Sequence, residues 1–508
     1  MSWLRGVLAG ISAALVLTVV GCAGRLPDPV ELPTVSSAVG SDPALTRFYA
    51  QPVAWADCPG TGRQCATLSV PRDYKHPDAG SIEPAAARVP ARDSDRRIGS
   101  LVINPGGPGL SGVQALTGAV QVVSPEVRDV FDLVGVDPRG VGGSTPVDCV
   151  SAAGLDAWRS PGYDLQAPDG PARRAADAAA ITAGCARDSG DLLAHVDTVS
   201  AARDLDIVRA VLGDDRLTYL GVSYGTELGA TYAELFPLRV GRMVLDAGLD
   251  PTMDDTQRML GLAAGFESAL NRYVAHCLNS AGCPLPKPAG AAVDRVRALV
   301  ADLADQPLPT RTARGLTPAL AVAALMQGVA DDQAWPDLSG ALGAALHRGD
   351  GARLLSMADA GAGRTPDGHY PGNVFEASAA ITCLDSPRRL SSRELLGFSD
   401  RLAAASPTFG LFLIDIAALC SAWPVPPTGT ATPTTATGAD PILVVGTTHD
   451  PAAPYPWSVA LSGQLQSGAL LTYDGFGHTA YGHSTTCITD AVDTYLLTGQ
   501  TPTADTMC

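Results

Sequence analysis

The strand that ends in Gly221-Val222-Ser223-Tyr224-Gly225 and runs straight into a helix constrains this chain more than any other feature. Residues 217–222 are apolar, and 226–236 read as a helix stopped by Pro237. A serine at such a turn projects its hydroxyl from a strained backbone, and strain of that kind collects at functional positions. Glycine on either side removes Cβ atoms that would collide where strand and helix approach. The pentapeptide alone is common. Between a strand and a helix it reads as a nucleophile elbow, and that reading requires a sheet whose strands are buried on both faces.

The other apolar runs fit such a sheet. Residues 101–103 lead into a Gly/Pro-rich turn, and 131–136 lead into Asp137-Pro138-Arg139-Gly140. Residues 242–245, 441–446 and 469–473 resume the strand pattern, helical segments intervene, and 486–497 read as a closing helix. Before these, 66–70 and 81–89 alternate and read as paired strands. From about 251 to 420 the text is Ala/Leu-rich with helical spacing, as in 291–303 and 316–328. Residues 424–439, rich in Pro, Thr, Ala and Gly, read as a loop or linker. The expected class is therefore α/β, a mostly parallel central sheet with a helical cap. The core spans 51–250, the cap 251–423, and the core resumes over 424–508. With 508 residues and 46% hydrophobic content, the chain can bury such a core and is too apolar to be disordered throughout.

A serine hydroxyl is a weak nucleophile near neutral pH, so a base and an orienting carboxylate are required. On elbows of this type they follow in the order Ser, acid, His. Asp450 stands in the turn after 441–446, and His478 follows 469–473. Both are expected at strand ends, on the edge of the sheet that carries Ser223. His483 is the rival base. His449 reads as a mouth or solvated residue, and Asp474 precedes His478 too closely to orient its ring. His76, His195, His276, His347 and His369 lie in ordinary polar contexts.

The developing oxyanion needs donors that are in place beforehand. Asn104-Pro105-Gly106-Gly107-Pro108-Gly109 follows an early strand, and the Gly107 N–H is the expected donor, with the Tyr224 N–H as the second. Gly107-x-Gly109-x-x-Gly112 also matches a dinucleotide fingerprint, but Pro108 lies inside the turn and the strand is not the first of the sheet. No Gly-Lys-Ser/Thr follows, which excludes a P-loop. No cofactor is expected.

The N-terminus bears on compartment. Arg5, the apolar stretch 6–20 and Val19-Val20-Gly21-Cys22 read as a signal peptide over 1–21, with Cys22 as a lipidated first residue and 22–50 as a tether. Without Cys22, 11 − 1 = 10 cysteines remain, an even number that favours disulfides. Neighbour pairing is expected: 58–65, 149–185, 277–283, 383–420 and 487–508. A metal site would need clustered Cys/His ligands, and no C-x₂-C pair exists, so none is expected. Lys+Arg 35 against Asp+Glu 52 gives a net charge of −17, a field that repels nucleic acid.

Segments 104–112, 137–144, 221–237, 446–455 and 475–478, with Cys487 and Cys508, resemble the tripeptidyl aminopeptidase family of actinobacterial exported α/β-hydrolases. That family is related to the prolyl aminopeptidases and includes mycobacterial cell-envelope serine proteases. The resemblance covers nearly all of the chain from about 55 and is weakest in the cap. Gly446-x-x-x-Asp450-Pro451-x-x-Pro454-Tyr455 is its most specific element. It implies an α/β-hydrolase fold with Ser223 as nucleophile, Asp450 as orienting acid and His478 as base. Ala247 stands where the family often has Gly.

The resemblance further implies a lipid-anchored peptidase cutting near peptide N-termini. The alternatives are a carboxylesterase or lipase acting on envelope acyl esters, and a catalytically silent envelope-binding lipoprotein. An aminopeptidase needs an anion for the substrate ammonium. Glu376 and Asp385 are candidates, and their plainer reading is as surface or helix-cap acids. The partners expected are therefore a peptide or acyl-ester substrate and a membrane, and nothing in the sequence speaks to an oligomeric state.

Overall fold

Six-residue apolar runs without alternation belong in a sheet covered on both faces, and the computed structural model buries them that way. It describes residues 43–165, 167–504 and 506–508; Cys22 and the leader lie outside the described residues. The strands of the main sheet are β1 (Ala56–Asp57), β2 (Gln64–Thr67), β3 (Ala85–Val89), β4 (Gly99–Asn104), β5 (Phe131–Val136), β6 (Leu217–Val222), β7 (Val240–Asp246), β8 (Ile442–His449), β9 (Gly468–Phe476) and β10 (Thr506–Met507). Every residue of β4, β5 and β7 is buried.

Their spatial order is β1-β2-β3-β5-β4-β6-β7-β8-β9-β10. The β1–β2, β2–β3 and β3–β5 pairings are antiparallel, and the pairings from β5 to β10 are parallel. The early alternating runs thus form an antiparallel edge on a parallel sheet. Val70–Pro71 leaves this edge to pair with Ser81–Ile82 outside the main sheet. The fold is an α/β-hydrolase, with β6, β8 and β9 ending on one rim.

Helices α1 (Gly112–Val122), α2 (Thr198–Val211) and α3 (Tyr224–Leu235) follow β4, precede β6 and follow β6. Between β7 and β8 the insertion carries α4 (Asp255–Asn279), α5 (Ala289–Asp305), α6 (Pro318–Val329), α7 (Trp335–Arg348), α8 (Ala352–Gly361), α9 (Val374–Asp385), α10 (Ser392–Ala405) and α11 (Ile414–Ser421). Helices α12 (Tyr455–Gln464) and α13 (Thr486–Thr498) complete the chain.

The insertion is not one uniform body. Leu270, Val296, Leu325, Leu342 and Leu354 pack into a core of their own, built from α4 to α8. Ile381 of α9 and Leu419 of α11 instead join the core under the sheet. The 424–439 loop is also more than a spacer: the Thr428 amide donates to the Leu384 carbonyl at 2.7 Å, tying it to the end of α9. Disulfides join Cys58–Cys65, Cys149–Cys185, Cys277–Cys283, Cys383–Cys420 and Cys487–Cys508, which is neighbour pairing throughout.

Candidate active site

Ser223 sits between β6 and α3 with φ 57° and ψ −121°, a conformation that L-residues adopt under strain. Its amide donates to the Asp246 carbonyl at 2.9 Å, and its carbonyl accepts from the Thr226 amide at 2.8 Å. The flanking glycines are required by contact. A Cβ on Gly221 would lie 2.3 Å from the Gly225 carbonyl oxygen, and one on Gly225 would lie 2.7 Å from that of Asn104.

The loop after β4 lies against this elbow. A Cβ on Gly106 would meet the Val222 carbonyl oxygen at 2.3 Å, the Tyr224 nitrogen at 3.0 Å and the Ser223 Cβ at 3.1 Å. The side chain of buried Asn104 accepts the Gly106 amide at 2.9 Å and fixes the turn. Gly107 and Tyr224 then line the same cavity as Ser223. Neither amide has an acceptor among the described residues, so both are available to a developing negative charge.

Asp450, in the turn after β8, is buried, and one of its oxygens accepts the amides of Ala452 and Ala453, each at 2.8 Å. His478, after β9, places Nδ1 3.0 and 2.9 Å from the two Asp450 oxygens. Burial pulls the imidazole down, but the Asp450 anion outweighs it and holds His478 above its ordinary value. His483 is exposed, Asp474 accepts from the Thr448 hydroxyl, and His449 is held by Arg272 of α4. None of these three competes for the Asp450–His478 pairing.

The cavity over Ser223 holds about 440 Å³, between the sheet rim and the insertion. Its wall includes Glu227, Asp255, Arg258 and Asp385. Arg258 forms two bonds to Glu227, at 2.7 and 2.8 Å. Burial pushes the carboxyls of Asp255 and Asp385 up, Asp385 well above its usual range. Asp385 accepts the amide and hydroxyl of Thr198, at 2.9 and 2.5 Å, and Thr198 Oγ1 in turn lies 2.5 Å from the Tyr224 hydroxyl.

The two acids singled out from sequence therefore separate. Asp385 lines the cavity but also holds the first residue of α2, linking the insertion to the helix before the elbow. Glu376 is buried on α9 and is not a lining residue; burial raises its carboxyl to about 7. Neither is a surface acid. Glu227 and the α4 pair Asp255 and Arg258 are the residues that sequence reading missed. The signal for Glu227 was its position four residues after Ser223, one turn into α3.

The chain is similar to known proteins over most of its length. Residues 406–508 match the family described as TAP-like protein. The chain is 38% identical over 518 residues to serine protease Hip1 of Mycobacterium tuberculosis, covering 98% of this chain and 96% of that protein. It is 40% identical over 453 residues to carboxylesterase B of the same organism, covering 88% and 86%. It is 32% identical over 489 residues to tripeptidyl aminopeptidase of Streptomyces lividans, covering 93% and 89%.

Proposed function

This chain belongs to the tripeptidyl aminopeptidase family of α/β-hydrolase serine hydrolases, and from that premise we propose that it releases short peptides from free N-termini through an acyl-enzyme on Ser223. His478 Nε2 takes the Ser223 proton as Oγ attacks the scissile carbonyl, and Asp450 holds the opposite ring nitrogen protonated and stabilises the imidazolium. The Gly107 and Tyr224 amides receive the oxyanion. His478 returns the proton to the leaving amine. Water then attacks the acyl-enzyme with His478 again as base, releasing the peptide acid and restoring the serine.

The observation that carries the peptidase reading is the charge of the cavity wall beside the nucleophile. Glu227, Asp255, Asp385 and Asp415 line it against one guanidinium, Arg258, which is committed to Glu227, while Asp415 is paired with Arg174. Burial holds the Asp255 and Asp385 carboxyls up, and a substrate ammonium entering beside them would favour their ionised form, so the wall suits a cationic substrate end better than a neutral one. The remaining surface supports a second reading: Leu249, Met253, Met259, Leu262 and Phe412 are apolar and would accept an acyl chain.

The discriminating experiment compares tripeptide amides with free and acetylated N-termini against acyl esters. Acetylation is expected to lower kcat/KM at least about tenfold. Indifference to acetylation overturns the aminopeptidase reading, and turnover of esters alone favours the carboxylesterase.

Attachment to the outer face of the membrane through Cys22 belongs to the same proposal. It is supported by the apolar stretch before Cys22 and by the paired cysteines, because disulfides persist in oxidising compartments. Cys22→Ala should move the protein from the membrane to the soluble fraction. Unchanged membrane retention would refute the anchor.

A further inference from the structure

Asp246 is the last residue of β7, the strand that lies between β6, which delivers Ser223, and β8, which delivers Asp450. It pairs in register with Val222 on one side and Val445 on the other. The residue is 1% exposed. Among the described residues no cation is bonded to its carboxylate. It accepts the Ala480 amide on both oxygens, at 3.1 and 3.0 Å, and the Tyr481 amide at 2.9 Å. These are the second and third residues after His478.

The segment it holds needs holding. Thr479, between His478 and Ala480, has φ 76°, a left-handed conformation that is an outlier for a β-branched side chain. Such a residue persists where its surroundings over-determine it. Hydrogen bonds from two consecutive amides to one buried carboxylate supply that constraint. The same residue's main-chain carbonyl accepts the Ser223 amide at 2.9 Å.

We infer that Asp246 is a positioning residue of the reaction, its main chain fixing the nucleophile's amide while its carboxylate fixes the loop that carries the base. One residue then sets Ser223 and His478 against each other, independently of the Asp450 contact that orients the ring. The charged groups facing its carboxylate are His478 and Asp450. Burial raises its own carboxyl, and in the ionised form its charge adds to the field that favours the imidazolium.

The test uses the full chain with Asp246→Asn and Asp246→Glu. Two quantities are read: the rate of Ser223 labelling by a fluorophosphonate, and the acid limb of kcat/KM. Asp246→Asn removes the charge and turns an amide toward backbone donors. It should slow labelling per folded molecule about 10- to 100-fold and move the acid limb to lower pH. Asp246→Glu keeps the charge but displaces it, so labelling should slow while the limb stays in place; this arm decides the matter if Asp246→Asn does not fold. Labelling within about twofold of the parent in either folded variant overturns the inference. Lower protein yield with parental rates per labelled site overturns it too, because that marks a purely structural role. A parent chain that does not label at all would remove the hydrolase reading itself, and Asp246 with it.

Discussion

His478 turns Nδ1 toward both oxygens of Asp450, at 3.0 and 2.9 Å, while that carboxylate is itself pinned by two backbone amides of its own turn. The anion lifts the imidazole above its ordinary value of 6.5 despite burial. A base must be neutral to accept the serine proton, so activity is lost as pH falls through this raised titration. The acid limb of kcat/KM should lie above the ordinary histidine range. Asp450→Asn should move it down and cost about 10⁴ in kcat. A pH–rate profile that is flat through this region would contradict the assignment.

Gly106 leaves no room for a side chain, since its Cβ would sit 2.3 Å from the Val222 carbonyl oxygen. Gly106→Ala should push the loop off the elbow and take the Gly107 amide with it. Losing one oxyanion donor costs about 10²–10³ in kcat. Fluorophosphonate labelling of the folded variant reads this directly.

Ala247 has φ 61°, in the left-handed region that favours glycine. Ala247→Gly should relieve about 1–2 kcal/mol of backbone strain, offset in part by the greater freedom of glycine in the unfolded chain. A modest rise in Tm is expected, with no change in kcat/KM.

Glu376 has a different thermodynamic signature. Burial raises its carboxyl from 4.5 to about 7 in the folded protein, so folding takes up a proton across that interval. Stability should therefore fall as pH rises from about 4.5 to 7 and stay lower above it. Glu376→Gln should raise stability by up to ~3 kcal/mol at pH 8 and change it little at pH 4. Melting at the two pH values checks the difference.

The placement of the rim residues was legible because it follows chain order. Buried strands announce themselves as unbroken apolar runs, and Ser223, Asp450 and His478 each stand just past one. The cap was legible in class but not in orientation. Helical spacing identifies α9, yet it does not tell which neighbour meets Glu376 and which meets Asp385. Arg258 and Glu227 meet across 31 residues, between an inserted helix and a core helix, and no local pattern encodes that contact. Asp246 was obscured for a related reason. A carboxylate closing an apolar strand looks like ordinary punctuation until the distant amides it receives are located.

Each disulfide joins segments of one part of the molecule: two lie before residue 250, two within the insertion, and one at the C-terminal end. Among the described residues none crosses from the insertion to the sheet. The roof over the nucleophile is stapled within itself, and its ties to the walls are non-covalent: the Arg258–Glu227 pair, the Asp385–Thr198 bonds and the packing of α9 and α11 into the sheet's core. A roof transplanted from a relative with the same cysteines would bring its own staples and strand no sulfur, but it would have to supply partners for Glu227 and Thr198 as well, so selectivity can be exchanged only together with those seams.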